Sequence, residues 1–184
     1  MHSLASDTTP LPEELVHVIQ GEFSVSNKPN VVLTTVLGSC VATCLFDPVA
    51  RVGGLNHFLL PGVEGKGGSE VMYGVHAMEL LINALLKKGA DKRRLQAKLF
   101  GGARMIDGLS DIGQKNAFFA RDFLMRENIP CLGESLGGTQ ARRIRFEPVT
   151  GRARQRVLGD ARMVEPQKPK PVPVEPAASD VELF

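Results

Sequence analysis

The chain has 184 residues, 43% hydrophobic and 23% charged, enough for one soluble domain with a real core and length left over for tails. A formal net charge of +2 is too small to point to nucleic acid or an anionic membrane surface. Three cysteines at irregular spacing (Cys40, Cys44, Cys131) suggest no disulfide framework and fit a reducing compartment; with no signal-peptide core at the N-terminus and no apolar run near the ~18 residues of a spanning helix, a cytoplasmic protein is expected.

Residues 1–14 are polar and marked by Pro10 and Pro12, so they read as a loose lead-in to a domain over 15–160. The apolar, β-branched run 31–37 predicts a buried strand, broken by Gly38 and Ser39. A second strand is expected over 41–46. Asp47-Pro48 marks a turn, and a third strand follows over 52–60, interrupted by Gly53-Gly54. A glycine-rich loop over 61–68 leads to Ser69, which reads as a helix cap. Val71, Val75, Met78, Ile82 and Leu85 then recur at helical spacing, and Gly89 is placed to stop the helix.

A short strand is expected at 96–100, ending in Gly101-Gly102, and a second helix at about 114–128, closed by Pro130. Strand signals return at 131–136, 144–146 and 152–158. From Val164 onward prolines at 166, 169, 171, 173 and 176 favour extended chain, so 161–184 reads as a disordered tail. The fold class is therefore an α/β (α+β) layered sandwich, with packed sheets and two principal helices.

Cysteine is usually a small buried hydrophobe. Cys44, inside a strand, and Cys131, after Ile129-Pro130, fit that role. Cys40 differs, because a Gly38-Ser39 approach is more than packing requires and can present a thiol at a cleft edge. His57 lies seventeen positions on in a second apolar run, and a thiol with an imidazole is the minimum equipment for nucleophilic catalysis. Such a cysteine is expected to carry a depressed pKa and to alkylate faster than the other two. The imidazole also needs a partner to hold its tautomer, and Thr34 and Thr35 are both candidates. A metal site on Cys40, Cys44, His57 and His17 is disfavoured, since positions 40 and 44 of an extended chain are about 13 Å apart. No phosphate-loop or dinucleotide fingerprint occurs, so no cofactor is expected. The arginines at 142, 143, 145, 152, 154 and 156 read as a solvated sheet face.

Several segments together resemble the CheD family of chemoreceptor glutamine deamidases. They are Thr34-Thr35-Val36-Leu37-Gly38-Ser39-Cys40, Phe46-Asp47-Pro48 and Gly54-Leu55-Asn56-His57-Phe58-Leu59-Leu60-Pro61, then Lys98-Leu99-Phe100-Gly101-Gly102-Ala103-Arg104-Met105, Ile112-Gly113-Gln114-Lys115-Asn116 and Leu136-Gly137-Gly138-Thr139. The resemblance spans about 17–158. It implies Cys40 as nucleophile, His57 as base and, six positions before the cysteine, Thr34 as the third residue. Backbone amides around Gly38 and Ser39 are the expected oxyanion donors. It further implies a fold similar to toxin-type glutamine deamidase domains, and hydrolysis of glutamine to glutamate on the cytoplasmic helices of methyl-accepting receptors, with release of ammonia. CheC phosphatase is the implied partner in some systems. An adaptor that binds receptors or CheC, with catalysis secondary, is the alternative. Ser135 and Gln140-Ala141 depart from the family pattern, away from the catalytic residues in sequence.

Overall fold

A computed structural model describes residues 11–61, 67–105 and 111–159. The predicted tail, most of the lead-in and the centre of the glycine-rich loop lie outside the described residues.

Among the described residues nine strands and two long helices follow one another. Strands β1 (Glu14–His17), β2 (Phe23–Ser26), β3 (Val31–Leu37), β4 (Val41–Asp47) and β5 (Val52–Phe58) precede helix α1 (Gly67–Lys87). Then come β6 (Gln96–Gly101), α2 (Ile112–Arg126), β7 (Cys131–Leu136), β8 (Arg142–Glu147) and β9 (Arg152–Val157). β1 and β2 were not expected from the sequence, and β1 starts inside the predicted lead-in. Helix α2 begins two residues before its expected start, because the Asp111 carboxylate accepts the Gln114 amide at 2.9 Å and caps it.

The strands form two sheets, β1-β3-β8-β9 and β2-β5-β4-β6-β7. Strand alternation assigns their faces. Val41 and Leu45 of β4 pack with Met78, Leu81 and Leu85 of α1 and Phe119 and Phe123 of α2. Ala42, Cys44 and Phe46 face the other way, against Leu33, Leu37, Ile144 and Phe146 of the four-stranded sheet. The result is three layers: helices, five-stranded sheet, four-stranded sheet. Each fully buried leucine here contributes about 1.5–3 kcal/mol relative to exposure. Among the described residues no helix is long and apolar enough to cross a membrane.

Gly53-Gly54 does not interrupt β5. A Cβ on Gly54 would sit 2.6 Å from Val25 and 2.7 Å from Leu81, so the glycine lets β2 and α1 close on the strand. The Asp47 turn appears as expected. The Asp47 carboxylate accepts the amides of Val49, Ala50 and Asp91 at 2.9–3.0 Å and pairs with Arg94. Burial alone would raise its pKa, but the Arg94 guanidinium and these amides outweigh it and hold the carboxyl well below the usual range.

The basic cluster divides. Arg143, Arg152, Arg154 and Arg156 are exposed, as a solvated face requires. Arg142 is buried and donates to the Ser135 carbonyl at 2.5 Å, the Ser135 hydroxyl at 3.0 Å and the Gly137 carbonyl. It belongs to the frame of the 135–137 turn. Ser135, one of the departures from the family pattern, is therefore tied to that arginine.

Candidate active site

Antiparallel pairing of β4 with β5 sets Ala42 opposite His57. Cys40 lies two residues before Ala42 and packs in the same inter-sheet cluster. It is thus on the same face as His57 and on its diagonal, a relation in which strand side chains start roughly 7–8 Å apart and long ones can meet. The structure thus sets the cysteine and histidine singled out in the sequence on one face, on neighbouring segments of the five-stranded sheet.

The two threonines face different ways. β3 pairs with β8 so that Thr35 lies opposite Ile144, a residue of the inter-sheet core, while Thr34 lies opposite Arg145. Alternation therefore turns Thr35 inward and Thr34 outward. The Thr35 hydroxyl is 2.9 Å from His57 Nδ1. Thr34 spends its hydroxyl on the Ile144 carbonyl at 2.7 Å and does not meet the histidine.

The hydrogen-bond network also assigns the tautomer. Thr35 Oγ1 is 2.7 Å from the Val18 carbonyl, which can only accept, so the hydroxyl proton is committed there. Toward His57 the hydroxyl must then accept, which puts the proton on Nδ1. The Val18 carbonyl is a second, longer partner for that N–H at 3.4 Å. Nε2 carries the lone pair, and it is buried with no hydrogen-bond partner among the described residues. An imidazole held at one nitrogen and free at the other is poised as a base.

The Gly38–Cys40 turn is held through its carbonyls. Ala103 donates to the Gly38 carbonyl at 2.9 Å, and Gly102 to that of Cys40 at 2.8 Å. Asn116, fully buried on α2, donates Nδ2 to the Ser39 carbonyl at 2.8 Å and accepts the Leu60 amide at 2.9 Å. A trans peptide points its N–H opposite its C=O, so anchoring the Ser39 carbonyl on α2 turns the Cys40 amide away from the helix. That amide faces the Cys40 sulfur. Gly101 is required here. Its φ is +111°, and a Cβ would stand 2.1 Å from the Cys40 carbonyl oxygen.

Electrostatics overturn the expected depressed thiol. Cys40 is 9% exposed; burial pushes its pKa up to about 11, only partly opposed by its own amide. Burial likewise lowers His57, against the Val18 carbonyl, which raises it. At neutral pH the resting pair is a thiol and a neutral imidazole, with no standing thiolate. Cys44 is fully buried, as expected, but Cys131 is exposed on β7 rather than core-facing. Iodoacetamide at pH 7 will label Cys131 first, Cys40 slowly and Cys44 last, as read by peptide mass mapping. Fastest labelling at Cys40 would restore the depressed thiol.

Sequence reasoning passed over Asn116, quoted as part of a motif without a role, and Gln20, whose carboxamide oxygen lies 3.4 Å from the Cys40 sulfur. Among the described residues no three of His, Cys, Asp and Glu gather as metal ligands.

A buried thiol and an imidazole held in one tautomer thus lie between the two sheets of an α+β domain. Comparison with known proteins gives the family. Residues 59–157 match the family model CheD, described as CheD chemotactic sensory transduction. A protein of Agrobacterium fabrum named "Probable chemoreceptor glutamine deamidase CheD" is 54% identical over 92% of this chain and 96% of its own. A protein of the same name from Caulobacter sp. is 54% identical over 94% of each chain, and one from Rhizobium meliloti 53% identical over 92% and 95%. The chain belongs to the CheD family. Among solved structures, a Neisseria meningitidis protein of the DUF152 family aligns with a TM-score of 0.44 at 13% identity, over 70% of this chain and 64% of that one, too distant to bear on function.

Proposed function

We propose that this chain is a protein-glutamine glutaminase that converts glutamine side chains of chemotaxis receptors to glutamate. The observation that carries the reading is the Val18–Thr35–His57 relay, which leaves Nε2 unprotonated. The family relatives are named for this activity. Receptor substrates presented on cytoplasmic helices put the enzyme in the cytoplasm, in keeping with its three free cysteines.

In the proposed mechanism His57 Nε2 takes the Cys40 proton as the sulfur attacks the carboxamide carbon. The neutral resting pair makes proton transfer and attack parts of one step. Negative charge develops on the carboxamide oxygen, and the Cys40 amide is the proposed donor to it, a contact of the kind worth about 3 kcal/mol of barrier. His57 returns the proton to the departing ammonia. Water then hydrolyses the thioester with His57 again as base, and glutamate is left. Thr35 keeps Nδ1 protonated throughout.

The test is to incubate the purified protein with receptor cytoplasmic fragments and follow the one-dalton gain of glutamine-to-glutamate conversion by mass spectrometry. Conversion at discrete glutamines is expected. Fragments that stay unchanged would sink the proposal.

A further inference from the structure

Gln20 sits in the connection between β1 and β2. The Glu22 amide donates to the Ile19 carbonyl at 3.0 Å, closing a four-residue turn in which Gly21 has a φ of +87°. This is a type II turn, with Gln20 at its first corner. The turn is tied to the histidine's own backbone. Gly21 donates to the His57 carbonyl at 2.8 Å, and the His57 amide donates to the Glu22 carbonyl at 3.0 Å. Gln20 is exposed, yet its carboxamide finds a partner within the protein. It lies on the Cys40 thiol, Oε1 accepting from the sulfur at 3.4 Å. The functional group next to the nucleophile is thus the same carboxamide that the enzyme hydrolyses on its receptors.

We infer that Gln20 is an intramolecular substrate, deamidated once per chain by Cys40. The inference rests on the proposed function, since it uses the same thiol and base. The reactive carbon is one bond from the oxygen already in contact, and the last torsion of a glutamine side chain is soft. A pinned turn makes the encounter unimolecular, where effective concentrations are very high. The thiol swings its proton from Gln20 Oε1 to His57 Nε2 and the Cys40 sulfur bonds to the Gln20 carboxamide carbon, the carbonyl π pair moving to oxygen. Collapse expels ammonia, which takes the proton from His57. The internal thioester between residues 20 and 40 is then opened by water, whose proton passes through His57 to the leaving sulfur. The balance is carboxamide plus water to carboxylate plus ammonium, with no oxidant or cofactor. The carboxylate so formed at position 20 repels a forming thiolate and is free to swing into solvent from its exposed corner. The self-reaction thereby uncovers the site for receptor glutamines.

The full-length wild type and Cys40→Ala should be expressed and purified in parallel, digested, and the peptide spanning Gln20 weighed. The expected result is a one-dalton gain in the wild type and none in Cys40→Ala. In freshly made protein the rate should be independent of protein concentration. If wild type converts receptor fragments while its own Gln20 stays unmodified, the inference fails and the proposed function stands. If neither is converted, both fail. Equal conversion in Cys40→Ala would mark spontaneous hydrolysis and overturn the inference, as would a rate proportional to concentration, which would mean one chain acts on another.

Discussion

Cys40→Ala will abolish receptor deamidation, and His57→Ala will lower kcat/KM by at least about three orders of magnitude, as losses within a nucleophile–base unit do. The two effects will not add, because neither residue does its work without the other. The protonation states give this pair a distinctive pH profile. His57 must be neutral to accept the proton, and burial has moved its pKa below the ordinary 6.5. Activity is therefore full at pH 7 and falls only on the acid side, as the pH drops through the lowered value. The Cys40 thiol, pushed up to about 11, keeps its proton through the mildly alkaline range. The expected profile of kcat/KM is thus an acid limb followed by a plateau reaching about pH 10. A bell falling above pH 8 would instead indicate a standing thiolate–imidazolium pair.

Thr35→Val will lower kcat by one to two orders of magnitude with little change in KM, whereas Thr34→Val will leave kcat in place and reduce stability. Without Thr35 Oγ1, the His57 Nδ1 proton keeps only the long contact to the Val18 carbonyl. The ring can then adopt the tautomer whose Nε2 carries the proton, and part of the ~10²–10⁴-fold advantage of a positioned base is lost. Thr34→Val removes one buried bond, to the Ile144 carbonyl, a change worth about 1–2 kcal/mol of stability. Denaturant melts and steady-state kinetics on the two variants separate the effects. A kinetic loss at Thr34 with none at Thr35 would return the orienting role to the earlier position.

The inward side of β3 was partly legible. Leu33, Thr35 and Leu37 share a period of two, and in a strand buried on one face that places Thr35 with the leucines. The run 31–35 is buried on both faces, so its hydrophobicity does not say which face meets the histidine, and counting back from Cys40 selected the threonine that does not touch it. Periodicity gave the two helices and strands β3–β6 and β8, which bury a face, whereas β7 and β9, mostly exposed or half-buried, were marked by the glycine and proline turns that bound them. It missed β1 and β2, which have four residues each and are mostly exposed or half-buried. Their place is fixed by pairing with distant partners rather than by any local pattern. The protonation of Cys40 was beyond the sequence for the same kind of reason. A glycine–serine approach suggests an accessible sulfur, but Gly102, Ala103 and Asn116 draw the turn down onto the sheet.

Those two short strands belong to different sheets: β1 pairs with β3 and β2 with β5. Between them, Val18 holds the threonine of one sheet and Gly21 and Glu22 clasp the histidine of the other. The segment works as a buckle across the molecule. A single protease nick between Gln20 and Glu22 would spare the nucleophile and the cores on both sides of it, yet release the strap that gives the imidazole one orientation. The N-terminal portion, which contributes little to the packed interior, would thus govern activity separately from folding.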